Sequence, residues 1–349
     1  MDNSAQFEDI VLLENKLTAA SAQIPKDLLE KAKAMCQRLV RMAQAQGYSQ
    51  EYDSVSRYLD WIVSLPWTKK SQDNLSLENA KKILDQNHYG LENIKERILE
   101  YISVANLTAS TKKTKAPALL LLGLVGTGKT TMAYSIAQAL GRSFGRIPLG
   151  GMGDALQLRG KARSSTDAEP GQIIKTLRRV ESKNPVILLD ELDRVTNEAK
   201  ADIMGVLVEL LDPEQNSSFL DHFLDYPFDL SEVLFIATAN NSGGIATAVL
   251  DRLEVMEMPS YTDEQKIVIG KNYLLPRAIG ACGLKSTELV FDETVWQQIV
   301  RPLGFDAGMR TLDRTINGIC RKVAKLKLEG KATSVKLTAE NVKEYLPTW

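Results

Sequence analysis

A glycine-rich segment that ends in a lysine and two threonines is the most chemically specific feature of the sequence. It runs from Gly123 to Thr131, has the sequence GLVGTGKTT and follows a run of leucines. It matches the pattern G-x-x-x-x-G-K-[ST] in full. Glycines let backbone N–H groups approach phosphate oxygens, and a helix that begins at such a loop adds the positive end of its dipole. The segment therefore predicts a phosphate-binding loop.

Phosphate contacts in this loop are expected from the backbone and from two side chains. Lys129 would reach the β- and γ-phosphates of a nucleotide, and the Thr130 hydroxyl would bind Mg²⁺. A chance glycine-rich turn is the alternative, but an apolar strand precedes the loop and a helix follows it. The predicted nucleotide-binding residues here are Gly123, Leu124, Val125, Gly126, Thr127, Gly128, Lys129, Thr130 and Thr131.

Two acidic residues at the end of a second apolar run are candidates for metal binding and water activation. The run VILLDELD places Asp190 and Glu191 directly after a predicted strand. Asp190 would steady Mg²⁺ through its water shell, and Glu191 would activate the attacking water as a general base. Acidic residues are common at the starts of helices, so the pair alone is weak evidence for a metal site. The phosphate loop that precedes it in the chain makes the assignment strong.

Three further polar residues could complete a site for triphosphate hydrolysis. Asn240 follows the run LFIATA, where its amide could hold the attacking water; a turn asparagine is the alternative. Arg252 in LDRLE could stabilise charge on a neighbouring subunit's nucleotide, or it is a surface arginine paired with Asp251 or Glu254. Arg310 in GMRTLDR starts a predicted helix and could report the γ-phosphate to a small domain, or it is a solvated helix residue.

The residues that could do this chemistry require a scaffold of strands and helices. Short apolar runs alternate with helical stretches, which favours a mostly parallel sheet flanked by helices. The fold class is therefore an α/β P-loop NTPase. The predicted strands are Leu119–Leu122, Val186–Leu189, Val233–Ala237 and Val255–Met258.

Helical patterns lie on both sides of the sheet region, where apolar residues recur three and four positions apart. The polar, basic segment 108–117 is predicted to be a loop. The predicted helices are 7–48, interrupted near Pro25, then 52–65, 263–275, 293–300 and 309–329. The chain is therefore divided into an N-terminal helical segment (1–68), an α/β nucleotide-binding domain (69–259) and a small, mainly helical domain (260–349).

The composition is that of an ordinary globular protein. The 349 residues are 44% hydrophobic and 25% charged, with a net charge of −1. This balance argues against nucleic acid and membrane partners, since there is no basic stripe with interleaved aromatics and no apolar stretch that could span a bilayer. Three scattered cysteines and two histidines give neither a disulfide framework nor a metal-binding spacing. We expect a reducing, cytoplasmic setting.

The sequence resembles the ATPase module of the Lon proteases, a family of AAA+ ATPases. The phosphate loop, the Asp-Glu pair, Asn240 and the two arginines occur in the AAA+ order, and longer stretches are more specific still. These stretches are 58–67, 85–101, 211–240 and 250–262, within a likeness that extends from about residue 25 to the end of the chain. By this resemblance, the residues that flank the adenine are His88, Tyr89, Gly90 and Ile94.

The resemblance implies hydrolysis of ATP to ADP with Mg²⁺, in a homo-oligomeric ring that is normally hexameric. Arg252 would then act on the nucleotide of an adjoining subunit. The energy would drive unfolding and translocation of a protein substrate. The family places a Ser-Lys protease domain after the small domain, whereas this sequence stops near that point, so no peptidase activity is expected. The implied catalytic residues are Glu191, Asn240, Arg252 and Arg310.

Two segments depart from the family pattern. In segment 159–171, Lon-like motors carry an aromatic residue, an apolar residue and a glycine where this chain has Ser165, Thr166 and Asp167. None of these can wedge against a substrate side chain by apolar contact. The alternative function is therefore an ATP-gated regulatory or remodelling module that binds a partner, or joins Lon-like rings, without threading polypeptide. Leu124-Val125 replaces the family's usual two prolines, which leaves the phosphate-binding N–H groups in place.

Overall fold

The computed structural model describes residues 3–45, 50–108, 117–300, 306 and 308–347. Most of the loop predicted at 108–117 therefore lies outside the described residues. The helices are α1 (Asn3–Ala20), α2 (Lys26–Ala45), α3 (Gln50–Ser64), α4 (Leu77–Asn87), α5 (Glu92–Thr108), α6 (Lys129–Ala139), α7 (Leu156–Arg159), α8 (Gln172–Val180), α9 (Lys200–Leu211), α10 (Thr247–Leu250), α11 (Asp263–Ile269), α12 (Leu275–Ala281), α13 (Glu293–Ile299), α14 (Arg310–Leu328) and α15 (Val342–Tyr345). The strands are β1 (Ala118–Leu122), β2 (Phe144–Pro148), β3 (Val186–Asp190), β4 (Phe219–Asp221), β5 (Tyr226–Phe228), β6 (Leu234–Ala239), β7 (Leu253–Glu257), β8 (Leu289–Phe291) and β9 (Val335–Leu337).

The central sheet has five parallel strands in the order β2-β3-β6-β1-β7. In β1, Leu120 packs into one hydrophobic cluster, whereas Leu119 and Leu121 pack into another on the opposite face. A strand with both faces covered is apolar throughout, which explains the unbroken leucines. Because the strands are parallel, their carboxyl ends meet at one edge, where ligands bind in such sheets. The predicted α/β fold is confirmed.

Strand β2 is the element of the sheet that the sequence did not predict. Its sequence, FGRIP, includes residue types that are uncommon in strands. It lies at an edge of the sheet, and β3 is its only partner among the described strands. Edge strands tolerate proline, since one side of the strand needs no ladder hydrogen bonds. This strand positions Arg146, whose side chain reaches the predicted site.

The N-terminal helices pack against the sheet domain. The Tyr58 hydroxyl in α3 donates to the Leu224 carbonyl at 2.9 Å. The Trp67 ring lies 4.9 Å from the Phe228 ring, and all these residues belong to a cluster that includes one face of the sheet. The hydrophobic packing is therefore continuous across residue 68, and the domain boundary predicted there stays a prediction.

The C-terminal region encloses a hydrophobic cluster of its own, formed by residues between Ile269 and Val342. It is mainly helical, with one short parallel pair, β8 and β9. The helix predicted at 263–275 is interrupted by a π-helical turn, Gly270–Leu274, that joins α11 to α12. Among the helices described anywhere in the chain, none combines the length and the apolar composition that a membrane crossing requires.

Candidate active site

The glycine-rich loop lies at the carboxyl edge of the sheet, between β1 and α6. Gly126 and Gly128 have φ angles of +83° and +95°. This left-handed region costs a residue with a side chain roughly 1–2 kcal/mol, so the backbone path selects glycine at both positions. Gly128 directly precedes α6, whose N-terminal N–H groups face the loop. The strand-loop-helix context that an anion-binding loop requires is therefore present.

Lys129 folds back over the loop. Its Nζ donates to the carbonyls of Gly123 and Leu124 at 2.6 and 2.9 Å and to Asn240 Oδ1 at 3.1 Å. Burial lowers the pKa of the ammonium, while Asp193 opposes this effect. Phosphate oxygens would offer the same ammonium stronger, charge-assisted bonds than carbonyls do. The structure thus brings together two predicted residues, Lys129 and Asn240, that are distant in sequence.

Asp190 and Glu191 are adjacent but have different environments. Asp190 is buried, and its Oδ2 accepts from Arg146 Nε at 2.8 Å and lies 2.6 Å from Nη2 in an ion pair. Thr238 Oγ1 donates to Oδ1. Glu191 has a φ angle of +61°, and its N–H donates to Thr238 Oγ1 at 3.0 Å. The left-handed backbone at Glu191 directs its carboxylate toward Gly150, where a Cβ would lie 2.5 Å from Oε2.

Asp193 provides an independent indication of a ligand. Its Oδ1 is buried without a hydrogen-bond partner among the described residues. Its Oδ2 accepts from Asn240 Nδ2 at 3.4 Å. A buried oxygen without a partner costs free energy, and a donor such as a cation-bound water would satisfy it. The oxygen therefore fits a hydrated group bound beside Lys129.

Mg²⁺ fits this arrangement only together with phosphate. The described residues hold no group of three or more His, Cys, Asp or Glu side chains that could bind a metal ion. Mg²⁺ is usually bound by one or two carboxylates plus substrate phosphates and water. Asp190 supplies a carboxylate at this edge, and Thr130, on the first turn of α6, is exposed. Both predicted metal-binding residues therefore remain candidates.

His88 packs against α6, the helix that follows the phosphate loop. Its side chain is buried, and its Nε2 is 2.9 Å from Ser135 Oγ in α6. Burial lowers the pKa of His88 to about 4, so the imidazole is neutral at physiological pH. The structure therefore places His88 where it supports the helix that carries Lys129 and Thr130.

An open cleft of about 1000 Å³ lies beside the loop and is the candidate space for a nucleotide base. Ile94 of α5 lines it together with Gly123, Leu124 and Asn240. Tyr89 is exposed, and Gly90 has a φ angle of +66°. Neither is among the residues that line the cleft, and the role of both in adenine binding stays a prediction.

Arg252 lies at the amino-terminal ends of the strands, opposite the carboxyl ends where the phosphate loop lies. It precedes β7, which runs parallel to β1, so the strand's length of about 16 Å separates it from the loop. Its Nε and Nη2 donate to Asp212 Oδ2 at 3.2 and 3.0 Å. The partner is therefore Asp212 and not Asp251 or Glu254, the alternatives suggested by sequence proximity.

The C-terminal region contacts the loop directly. Arg310 is exposed at the first turn of α14, which confirms that it starts a helix. The Met309 N–H donates to the Gly126 carbonyl at 2.9 Å. A Cβ on Gly308 would lie 2.4 Å from a carbonyl oxygen of the loop, so only glycine fits. Arg310 is also among the charges that act on Lys129. Residues from both predicted units, 69–259 and 260–349, therefore lie together at the predicted site.

Segment 159–171 forms a surface loop with a polar tip. Ser165, Thr166 and Asp167 are all exposed. At its base, the Gly171 N–H donates to Asp221 Oδ2 at 2.7 Å, and Lys161 forms an ion pair with Asp167. The tip therefore presents hydroxyl and carboxylate groups where a substrate-gripping loop would present an apolar surface.

Sequence patterns did not identify four residues of this region. Arg146 and Thr238 hold Asp190, Asp193 carries the unpartnered oxygen, and Asp212 holds Arg252. A local signal existed for Asp193, which follows the Asp-Glu pair in DELD. The others contact residues that are distant in sequence, so no spacing pattern indicates them.

Two family models match the regions of the chain that contain the candidate site residues. Residues 119–260 match the ATPase family associated with various cellular activities (AAA), and residues 280–335 match the Lon protease AAA+ ATPase lid domain. The first match contains the phosphate loop, the Asp-Glu pair, Asn240 and Arg252. The second match contains Arg310.

Curated relatives agree with this assignment. The chain is 44% identical over 346 residues to the Lon protease of Lawsonia intracellularis, which covers 99% of this chain and 40% of that protein. It is 45% identical over 322 residues to the Lon protease of Syntrophus aciditrophicus, covering 92% and 40%. It is 42% identical over 334 residues to Lon protease 2 of Herpetosiphon aurantiacus, covering 96% and 40%. The chain thus spans about two fifths of the length of these relatives. It belongs to the Lon protease family and carries that family's AAA+ ATPase and lid domains.

Proposed function

We propose that this chain is the motor module of a Lon-type machine, in which Mg²⁺-dependent ATP hydrolysis moves a protein substrate. One observation carries the proposal: Lys129, the carboxylates that end β3, Asn240 and the start of α14 converge at one edge of the sheet. A ligand bound at that edge contacts two parts of the chain at once. Cleavage of the ligand can therefore change how those parts are arranged.

ATP would bind with its phosphates over the N-terminus of α6. Lys129 would exchange its carbonyl partners for phosphate oxygens, which form charge-assisted bonds with the ammonium. Thr130 and Asp190 would hold Mg²⁺, which supplies positive charge at the phosphates. The adenine would occupy the cleft beside Ile94.

Glu191 would remove the proton from the attacking water while Asn240 holds that water in place. Glu191 Oε1 is 3.3 Å from Arg194 Nη1, in a pair whose side chains are about half exposed. An exposed pair of this kind contributes about 0–1 kcal/mol, so the carboxylate is free to reorient toward a bound nucleotide. This pair therefore does not exclude Glu191 as the base.

Arg252 would complete the site of another copy of the chain. It lies at the amino-terminal ends of the strands, and the distance from there to its own phosphate loop exceeds the reach of an arginine side chain. A guanidinium that stabilises the transition state from an adjoining subunit is a known arrangement in phosphoryl transfer. We therefore propose a homo-oligomeric ring in which Asp212 orients Arg252 toward the neighbour.

We also propose that the units 1–68, 69–259 and 260–349 act as domains, with the last one responding to nucleotide. The backbone contact between Met309 and Gly126 supports this coupling. Arg310 would detect the γ-phosphate from the start of α14. A cytoplasmic location is kept as a prediction.

The test measures ATP hydrolysis alongside sedimentation, with and without a permanently unfolded protein. The unmodified chain should hydrolyse ATP when assembled, and the unfolded protein should stimulate it. Ser165→Tyr should increase the stimulation, because an aromatic ring adds apolar contact with a polypeptide. Ser164→Tyr, one position earlier on the same exposed turn, is the matched control and should add less.

Two results would count against this proposal in different ways. ATP hydrolysis without any stimulation would favour the non-threading module, which the polar loop tip supports. An assembled chain that neither binds nor hydrolyses ATP would refute both functions.

A further inference from the structure

Asp190, the carboxylate proposed to hold Mg²⁺, already has a cationic partner within the chain. We propose that Arg146 is a positioning residue that occupies this carboxylate in the nucleotide-free chain and leaves it when Mg²⁺ and ATP bind. This inference rests on the proposed function, because it concerns the same site. It adds a residue that competes with the metal for Asp190.

The contacts of Asp190 leave little room for another partner. Arg146 Nε donates to Oδ2 at 2.8 Å, and Nη2 of the same guanidinium lies 2.6 Å from Oδ2 in an ion pair. Thr238 donates to Oδ1. Both carboxylate oxygens are therefore occupied within the chain, and a metal-bound water that bonded to Oδ2 would compete with the guanidinium.

Exposure indicates which partner moves. The Asp190 side chain is 7% exposed, whereas that of Arg146 is 54% exposed. Arg146 lies on β2, the edge strand, and Asp190 is its only carboxylate partner among the described residues. The guanidinium can thus turn into solvent, while Asp190 is fixed at the end of β3.

Charge gives the direction of the effect. A buried carboxylate without a partner is strongly unfavourable, and the guanidinium removes that penalty while no nucleotide is bound. A divalent cation near the same oxygen repels the guanidinium. Because Asp190 is buried, the local dielectric constant is low, which strengthens this repulsion. Arg146 should therefore raise the Mg²⁺ concentration that ATP binding requires.

The experiment titrates Mg²⁺ against the binding of a fluorescent ATP analogue at constant ionic strength. For Arg146→Gln, the half-saturating Mg²⁺ concentration should fall about tenfold, as expected when a competing bond to a charged group is lost. Arg179→Gln is the matched control. Arg179 belongs to α8, and its contacts with the Arg146 carbonyl and Thr176 Oγ1 are both 3.4 Å long, so the control removes equal charge without freeing Asp190. It should keep the wild-type midpoint.

A second variant and a second measurement guard against a folding defect. Arg146→Lys keeps the charge but loses the two-nitrogen contact, so its midpoint should lie between those of the wild type and Arg146→Gln. With the ATP analogue present, the melting temperature of Arg146→Gln should rise at a lower MgCl₂ concentration than that of the wild type. This second measurement does not depend on activity.

Two outcomes would overturn the inference. In the first, both Arg146 variants show the wild-type Mg²⁺ midpoint, so that Arg146 does not compete. In the second, the midpoint rises, so that Arg146 supports metal binding from a fixed position. A wild-type chain that binds no analogue at any Mg²⁺ concentration would instead remove the proposed function, and this inference with it.

Discussion

Protonation of His88 should destabilise its buried contact with α6, the helix that follows the phosphate loop. The imidazole is buried against Ser135 of α6, and burial lowers its pKa from 6.5 to about 4. Below pH 6.5, His88 becomes protonated in the unfolded chain but stays neutral in the folded chain until the pH approaches 4, so acid favours unfolding. The contribution of His88 to stability is therefore fully present above pH 6.5 and is lost as the pH falls toward 4. Between pH 7.5 and 5.0 the loss amounts to about 2 kcal/mol.

Urea unfolding at the two pH values measures this loss. Other groups also titrate in this range, so the informative quantity is the difference between the wild type and His88→Gln, whose amide stays neutral and can still bond Ser135. The wild type should lose about 2 kcal/mol more than His88→Gln on acidification. His222→Gln removes the only other histidine and should keep the full wild-type loss.

An equal loss of stability in the wild type and in His88→Gln would refute this reasoning. It would mean that the folded chain accepts the proton at His88 as readily as the unfolded chain does. The imidazole would then have access to water, and its contact with α6 could not be the buried bond described here.

Three further changes test the nucleotide chemistry. Lys129→Ala should weaken ATP binding on the order of 10- to 100-fold, because charge-assisted bonds to phosphate are lost; calorimetric titration measures this, and unchanged affinity would exclude Lys129 from the site. Glu191→Gln should bind ATP normally but lower the rate of phosphate release on the order of 100- to 10,000-fold, because water activation is lost; near-normal release would exclude Glu191 as the base. Arg252→Ala should leave binding intact and lower turnover of the assembled protein on the order of 1000-fold. Wild-type monomers that hydrolyse ATP as fast as oligomers would contradict action between subunits.

The parts of the site that sequence could predict are those that neighbouring residues determine together. The loop from Gly123 to Thr131 has its conformation set by glycines with positive φ, and its position follows from a buried strand before it and a helix after it. Asp190 ends a strand that is buried along its whole length, which an apolar run of four residues indicates. In these segments, the residues that form the recognisable pattern are also the residues that determine the local structure.

The parts that sequence could not predict depend on strand order. Arg146 and Asp190 are 44 residues apart, and Thr238 and Asp190 are 48 apart. They meet because β3 lies between β2 and β6, an arrangement that no single segment encodes. Strand β2 itself escaped prediction because an edge position permits glycine, arginine and proline.

The partner of Arg252 could not be predicted from the sequence either. Its neighbours in sequence offered two carboxylates, yet it binds Asp212, which directly follows α9. Proximity in sequence is a weak guide here, because the orientation of the side chain is set by α9 and α10, which pack together. Partners of this kind can be identified only once the packing of the helices is known.

One link between the phosphate loop and the C-terminal region, the hydrogen bond between Met309 and Gly126, contains no side chain. The Met309 N–H and the Gly126 carbonyl belong to the main chain, and Gly308 adds nothing beyond its α-carbon. An alanine scan that passed over glycines would leave this link intact and would report it as unimportant. Replacing Gly308 with alanine is the change that would reveal it, since one added methyl group would force the loop and the C-terminal region apart without altering any charge.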